Sequence, residues 1–154
     1  MGYDVHRLVP GRALVLGGIT IPYEKGLLGH SDADVLLHAV MDAILGALGQ
    51  GDIGHHFPDS DERYRGISSM RLAEKVAQIM RGRGFKIGNL DVTVIAERPK
   101  LAPYLSAMQQ RLASVFLCEV SDVNVKATTE EGLGFSGRGE GIAAHAVTLL
   151  VPET

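Results

Sequence analysis

The segment from Val35 to Leu48, VLLHAVMDAILGAL, constrains the fold of this chain more than any other. Val35, Leu36, Leu37, Val40, Met41, Ile44, Leu45 and Leu48 leave almost no side of a helix polar, the pattern of a helix wrapped by other elements. His38 and Asp42 interrupt the run, which is too short to cross a bilayer, so no membrane segment is expected. The few polar groups form one stripe: Asp34, His38 and Asp42 recur every four residues and stack on a single face. Burying such groups is costly unless they are paired or bound to metal, so this face requires a partner from elsewhere in the chain.

Elements able to wrap that helix are visible on either side of it. RALVLGGITIPY reads as a strand pair around Gly17-Gly18, either a tight turn or a bulge. The central helix is expected to begin at Ser31, with Ser31 and Asp34 in capping-box spacing, and to end at the glycines of GQGDIG. A second amphipathic helix is predicted over Ser68 to Arg81, carrying Leu72, Val76, Ile79 and Met80. NLDVTVIAE alternates as a strand and stops before Pro99, and a third helix follows Pro103 with Leu105, Met108, Leu112, Val115 and Phe116 at helical spacing. VNVKAT and GIAAHAVTLLV read as the last strands, and the second, apolar on both faces, is expected to be covered on both sides. The fold class is therefore α/β of the α+β type, a mixed sheet with helices packed on one side. At 154 residues, without repeat or linker, 1–154 reads as a single domain.

Composition excludes several functions. The net charge of -3, with no lysine or arginine run, offers no electrostatic footprint for nucleic acid. The single cysteine, Cys118, cannot form an internal disulfide, and the N-terminus lacks a basic-then-apolar secretory pattern. A cytoplasmic enzyme or binding protein is the expected class.

The opening motif GYDVHRL supplies a partner for the polar stripe. Alternation along a strand points Tyr3 and Val5 one way and Asp4 and His6 the other. Joined by His38, they offer one carboxylate oxygen and two imidazole nitrogens, and three such ligands with an open fourth position describe a catalytic zinc site. The same two histidines also fit ordinary hydrogen-bonded roles, and spacing alone leaves both readings open.

Taken in order, GYDVHRL, GGITIPYEKGLLGHSDADVLLHAVMDAILGALGQGDIGHHFPDSD, DVTVIAERPKL and VNVKATTEEGLGFSGRGEGIA resemble the 2-C-methyl-D-erythritol 2,4-cyclodiphosphate synthases of the non-mevalonate isoprenoid pathway. The resemblance covers essentially the whole chain. It implies that Asp4, His6 and His38 hold zinc, with a phosphate oxygen in the fourth position and Asp42 nearby to orient a ligand. His30 and Ser31 match residues that contact the erythritol phosphate, and His30 one that stabilises the transition state. The loops Asp52, Ile53, Gly54 and Phe57, Pro58, Asp59, Ser60, Asp61 match those that hold the sugar portion, with His55 and His56 read as plain loop histidines. Ala96, Pro99, Lys100, Leu101 and Ala102 match the segment that accepts the cytidine monophosphate portion. Thr128 matches a substrate contact, Thr129 a transition-state residue, and Glu131 a ligand of magnesium or manganese at the diphosphate. Phe135 and Arg138 match substrate-binding residues that, with Glu140, lie near a channel on a threefold axis where an isoprenoid diphosphate binds.

The resemblance further implies a homotrimer with sites between subunits, located in the cytoplasm or, in a plastid-bearing source, in the stroma. Two departures stand out. The chain starts directly at Met1-Gly2, whereas relatives carry several residues before the motif, so a short first strand is expected; Glu130 and Gly132 stand where many relatives have threonine and lysine. The implied reaction is an intramolecular phosphoryl transfer on 4-diphosphocytidyl-2-C-methyl-D-erythritol 2-phosphate. Two rivals use the same residues: a zinc-dependent phosphohydrolase, and a trimeric isoprenoid-diphosphate binding protein that is not an enzyme.

Overall fold

The computed structural model describes residues 1–154. Numbered in chain order, the strands are β1 (Gly2–Pro10), β2 (Leu14–Leu16), β3 (Ile19–Ile21), β4 (Lys25–Leu27), β5 (Phe85–Ile95), β6 (Val123–Thr128) and β7 (Gly141–Pro152). The helices are α1 (Val35–Ala47), α2 (Ile53–His56), α3 (Ser69–Gly82), α4 (Leu105–Phe116) and α5 (Gly134–Gly137). Five strands form one mixed sheet in the order β4-β1-β7-β5-β6, and β2 and β3 make a separate hairpin. Only β5 and β6 run parallel, and the crossover that a parallel pair requires carries α4.

The helices occupy one side of the sheet, as expected. α1 packs on β1 and β7, α3 packs on α1, and α4 on β6. The central helix is buried as its composition demands, with ten of its residues inside. Gly2 permits its closest approach: a Cβ there would stand 1.9 Å from the carbonyl oxygen of Ala39. Any larger residue would push α1 off β1, and with it the His38 that α1 carries.

The strand pair at Gly17-Gly18 is a tight turn, not a bulge, since both glycines have positive φ, 59° and 75°, as a type I′ hairpin requires. The central helix starts later than Ser31. Asp34 is its N-cap and accepts from Leu37 N at 3.0 Å, while the Ser31 hydroxyl accepts from Ala33 N in the preceding loop. The reason is tertiary: the Asp34 carboxylate also accepts from Gly17 N at 2.9 Å and Gly18 N at 2.7 Å, locking the hairpin onto the start of α1. Burial pushes its carboxyl up to about 6 against the pull of the Leu37, Gly18 and Gly17 N–H groups, so at neutral pH the anion does the capping. Asp34→Ala would strand those buried donors and is expected to cost about 3 kcal/mol or more, read as a lower denaturant midpoint at unchanged slope. A loss below about 1 kcal/mol would contradict this role.

The first strand is not short. Its nine residues pair with β7 from Gly2↔Ala146 to Arg7↔Gly141, then with β4 from Leu8↔Leu27 to Pro10↔Lys25. The expectation that β7 is covered on both sides holds only for Gly141 to Ala144; further on, Val147 and Leu149 are 55% and 59% exposed. With Tyr3 and Val5 of β1, they leave the sheet face opposite the helices uncovered within one chain. No helix is long and apolar enough to cross a membrane.

Candidate metal centre and substrate cleft

Strand alternation turns Asp4 and His6 toward the helices, and α1 brings His38 over them. Asp4 Oδ2 lies 2.9 Å from both His6 Nε2 and His38 Nδ1, and the two nitrogens are 3.2 Å apart. A tetrahedral ion with bonds of about 2.0–2.1 Å holds its ligand atoms roughly 3.3 Å from one another, so this triangle is the size a small divalent ion needs. The far nitrogens fit the same role. His6 Nδ1 donates to Leu28 O at 2.9 Å, which leaves Nε2 free to ligate, and His38 Nε2 faces the Ser69 and Ser31 hydroxyls at 3.0 and 3.3 Å. The donor set thus fits a divalent metal.

Electrostatics around the triad bear on metal retention. Burial opposes ionisation of Asp4, but hydrogen bonds from His38 and His6 hold its carboxyl well below the usual range. For His6 burial works against the charged form, yet the hydrogen bond and charge of Asp4 win and raise it above the ordinary value. A raised histidine is protonated, and lost as a ligand, at a higher pH than usual. Metal affinity is therefore expected to begin falling above about pH 6.5 as the solution is acidified, and chelator competition from about pH 8 to about pH 5.5 checks it. An affinity that stays flat to about pH 5.5 would contradict it.

The triad opens into a cleft of about 230 Å³ also lined by His30, Ser31, Ile53, Gly54, Phe57 and Asp59. Its walls are held in place by groups that sequence reasoning did not find. Arg12 donates to Leu27 O at 2.7 Å and Ser31 O at 3.0 Å, clamping the loop that carries His30. His30 is tied across to the Asp61–Gly66 segment: its carbonyl accepts from Gly66 N at 2.8 Å, and its Nε2 lies 3.3 Å from Asp61 O. Phe57 meets the Tyr64 ring at 5.5 Å. No local pattern marks Arg12, because its partners lie 15 and 19 residues further along the chain.

Two details of the polar stripe and its loop differ from the sequence reading. Asp42 does not join His38; it accepts from Ile53 N at 2.8 Å and so anchors the loop that forms the cleft floor. His55 and His56 are not plain loop histidines but end the short helix α2, which Asp52 caps by accepting from His55 N, and His56 Nε2 lies 2.7 Å from Gln50 O. Pro58 and Ser60 are exposed, and Asp61 is held by Arg63 at 2.6 Å.

The remaining candidate residues gather elsewhere. At the C-terminal ends of β5 and β6, Ala96 N donates to Thr128 O at 3.0 Å and Gly132 N donates to the Glu97 carboxylate at 3.1 Å, so the two loops sit side by side. Ala96 and Leu101 are buried there, while Lys100, Ala102, Thr128, Thr129 and Glu131 are exposed; the Arg98–Pro99 peptide is cis. Glu131 has a positive φ of 53°, and its N–H donates to Thr129 Oγ1. The GFSGRGEG turn contains the one-turn helix α5, with Phe135 beside Val5, His6 and Arg7, and Arg138 paired with Glu140 at 3.2 Å. None of these lines the metal cleft of its own chain.

A model of the YgbB family matches residues 1–151. The chain belongs to the YgbB family. Its YgbB relatives include the 2-C-methyl-D-erythritol 2,4-cyclodiphosphate synthase of Pelobacter propionicus, 63% identical over 150 residues, 97% of this chain and 95% of that protein. Among solved structures, the bifunctional IspDF of Campylobacter jejuni matches with a TM-score of 0.93 at 44% identity. The match covers 97% of this chain and 40% of that one, so the present chain spans about two fifths of the bifunctional protein. The CDP complex of IspF from Plasmodium falciparum matches with a TM-score of 0.87 at 33% identity, over 99% of this chain and 94% of the other. The resemblance read from the motifs is thus borne out along the whole chain.

Proposed function

We propose that this chain is a 2-C-methyl-D-erythritol 2,4-cyclodiphosphate synthase of the non-mevalonate isoprenoid pathway. It converts 4-diphosphocytidyl-2-C-methyl-D-erythritol 2-phosphate to the cyclic diphosphate and releases CMP. The observation that carries the reading is the convergence of Asp4, His6 and His38 at the mouth of a cleft walled by the His30–Ser31 and Ile53–Asp59 loops. Asp4, His6 and His38 would hold zinc and Glu131 magnesium or manganese, and these ions supply Lewis-acid charge neutralisation at the phosphates.

This chain's own residues do the rest. His30 and Ser31 hold the 2-phosphate, and the Asp52–Gly54 and Phe57–Asp61 loops fold the erythritol over it. Ala96, Pro99, Lys100, Leu101 and Ala102 bind the cytidine monophosphate portion, Thr128, Phe135 and Arg138 make further substrate contacts, and Thr129 faces the transferring phosphoryl group. A 2-phosphate oxygen attacks the β-phosphorus, that P–O bond forms, and the bond to the CMP oxygen breaks. The attacking oxygen is already anionic, so no strong base is needed. Positioning and charge neutralisation dominate such transfers.

The two clusters of candidate residues lie apart within one chain, which supports a homotrimer in which one subunit's cytidyl loops complete a neighbour's metal cleft. The uncovered face bearing Tyr3, Val5, Val147 and Leu149 supports the same assembly. Phe135 and Arg138 would then border an axial channel suited to an isoprenoid diphosphate, and the enzyme would work in the cytoplasm. Phosphorus NMR of the reaction with magnesium or manganese is the test: CMP and the cyclic diphosphate should appear one for one. A linear phosphate product would contradict it.

A further inference from the structure

The nitrogen of His38 that faces away from Asp4 and His6 meets two hydroxyls, and they are not equivalent. Ser69 Oγ, 3.0 Å from Nε2, itself donates to Asp32 Oδ1 at 2.5 Å. A hydroxyl has one proton, and with that proton committed to a carboxylate Ser69 Oγ has only lone pairs to offer the imidazole. Nε2 must then carry the hydrogen of this contact. Where a metal takes the place of the hydrogen that Nδ1 shares with Asp4 Oδ2, the Nδ1 lone pair is then the one directed between Asp4 Oδ2 and His6 Nε2.

The arrangement is held at both ends. Asp32 Oδ2 accepts from Ser69 N at 3.0 Å, Oδ1 accepts from Asp34 N at 3.2 Å, and Asp32 N donates to Ile67 O at 3.1 Å. Ser69 is fully buried at the first position of α3. Ser31 Oγ, the second hydroxyl, lies 3.3 Å from Nε2 and accepts from Ala33 N at 3.2 Å. Because Nε2 is protonated it cannot accept from Ser31, whose hydroxyl proton is free to turn into the cleft that Ser31 lines.

We propose that Ser69 and Asp32 are positioning residues: they fix His38 in the tautomer that presents Nδ1 to the metal, and they leave the Ser31 hydroxyl as a donor to an anionic ligand in the cleft. The inference rests on the metal reading given above. Its chemistry is that of a carboxylate acting through a hydroxyl to strengthen an imidazole ligand, and partners of this kind are worth about 10- to 100-fold in metal affinity.

The test uses the full chain with zinc as the probe and needs neither substrate nor turnover. Chelator competition should show zinc affinity lower by about 10- to 100-fold in Ser69→Ala and in Asp32→Asn. Ser69→Thr, which keeps the hydroxyl, and Ser31→Ala, which removes only the other one, should stay within about threefold of the parent. Proton NMR of the zinc-loaded chain supplies a readout that a merely structural role would not move. The Nε2 hydrogen of His38 should exchange slowly with water in the parent and Ser69→Thr, and fast in Ser69→Ala. If Ser69→Ala does not fold, Asp32→Asn, nearly isosteric, carries the same comparison. Ser69→Ala holding zinc as tightly as the parent with the slow hydrogen intact overturns the proposal, as does Ser31→Ala showing the loss instead. A parent that turns over the cytidyl substrate while either result is found overturns the relay alone; a parent that binds no zinc overturns both readings.

Discussion

His38→Ala is expected to leave a folded chain that retains almost no metal. The parent should carry about one zinc per chain after extensive dialysis, because three ligands of these types with an open position describe a catalytic zinc site. Removing His38 leaves two ligands, Asp4 and His6, on a flat strand face. Losing several kcal/mol of charge stabilisation at the phosphates corresponds to a fall in turnover of about 10³-fold or more. The cavity left is small and borders the existing cleft, so circular dichroism should remain that of the parent. Elemental analysis is the direct check, and unchanged zinc content in the mutant would sink the assignment.

Val147→Arg is expected to abolish assembly and, with it, activity. Val147 sits on the uncovered sheet face, 55% exposed in the single chain and directly opposite Asp91. An arginine there is compatible with the isolated fold, since the side chain at this position is open to water and the Asp91 carboxylate opposite is already taken by Lys126 at 2.7 Å. In a trimer built on this face it would bring three cations into an apolar contact, a cost of several kcal/mol per buried unpaired charge. Sedimentation equilibrium at micromolar concentration should change from three chains to one, and turnover should fall at least about 100-fold, because the loops proposed to bind the cytidyl end do not line the metal cleft of their own chain. A monomeric Val147→Arg chain with full activity would contradict sites shared between subunits.

The parts of this structure that were legible in the sequence are those with a strong period. Alternation in GYDVHRL placed Asp4 and His6 on one face, and the apolar wheel of α1 required its burial. What periodicity cannot show is where a polar side chain finds its partner. Asp34, His38 and Asp42 do share a stripe, but it spans nine residues, about 12 Å along the helix, and meets different neighbours along its length. Asp34 serves the hairpin, His38 the metal triad and Asp42 the Ile53 loop. Ser69 and Asp32 were invisible for the same reason, being 37 residues apart. The three-residue β4 and the one-turn helices α2 and α5 are too short to carry any pattern, and their shapes come from caps and pairing supplied by the rest of the fold. The roles proposed for Lys100, Thr129 and Glu131 rest on family resemblance alone, for exposed residues in loops carry no period.

Hydrolysis and cyclisation of the cytidyl substrate both use a metal triad and both release CMP, and the source of the attacking oxygen separates them. A phosphate tethered to the same molecule and held near the β-phosphorus has an effective molarity that can reach about 10⁵ M, far above the ~55 M of water. Cyclisation should therefore win whenever the substrate is folded over the Asp4, His6 and His38 centre. The decisive measurement is the reaction run in ¹⁸O-labelled water with magnesium or manganese, the products analysed by mass spectrometry. The expected result is unlabelled CMP and unlabelled cyclic diphosphate in equal amounts; label in the phosphate of either product would show that water attacks and would contradict the account.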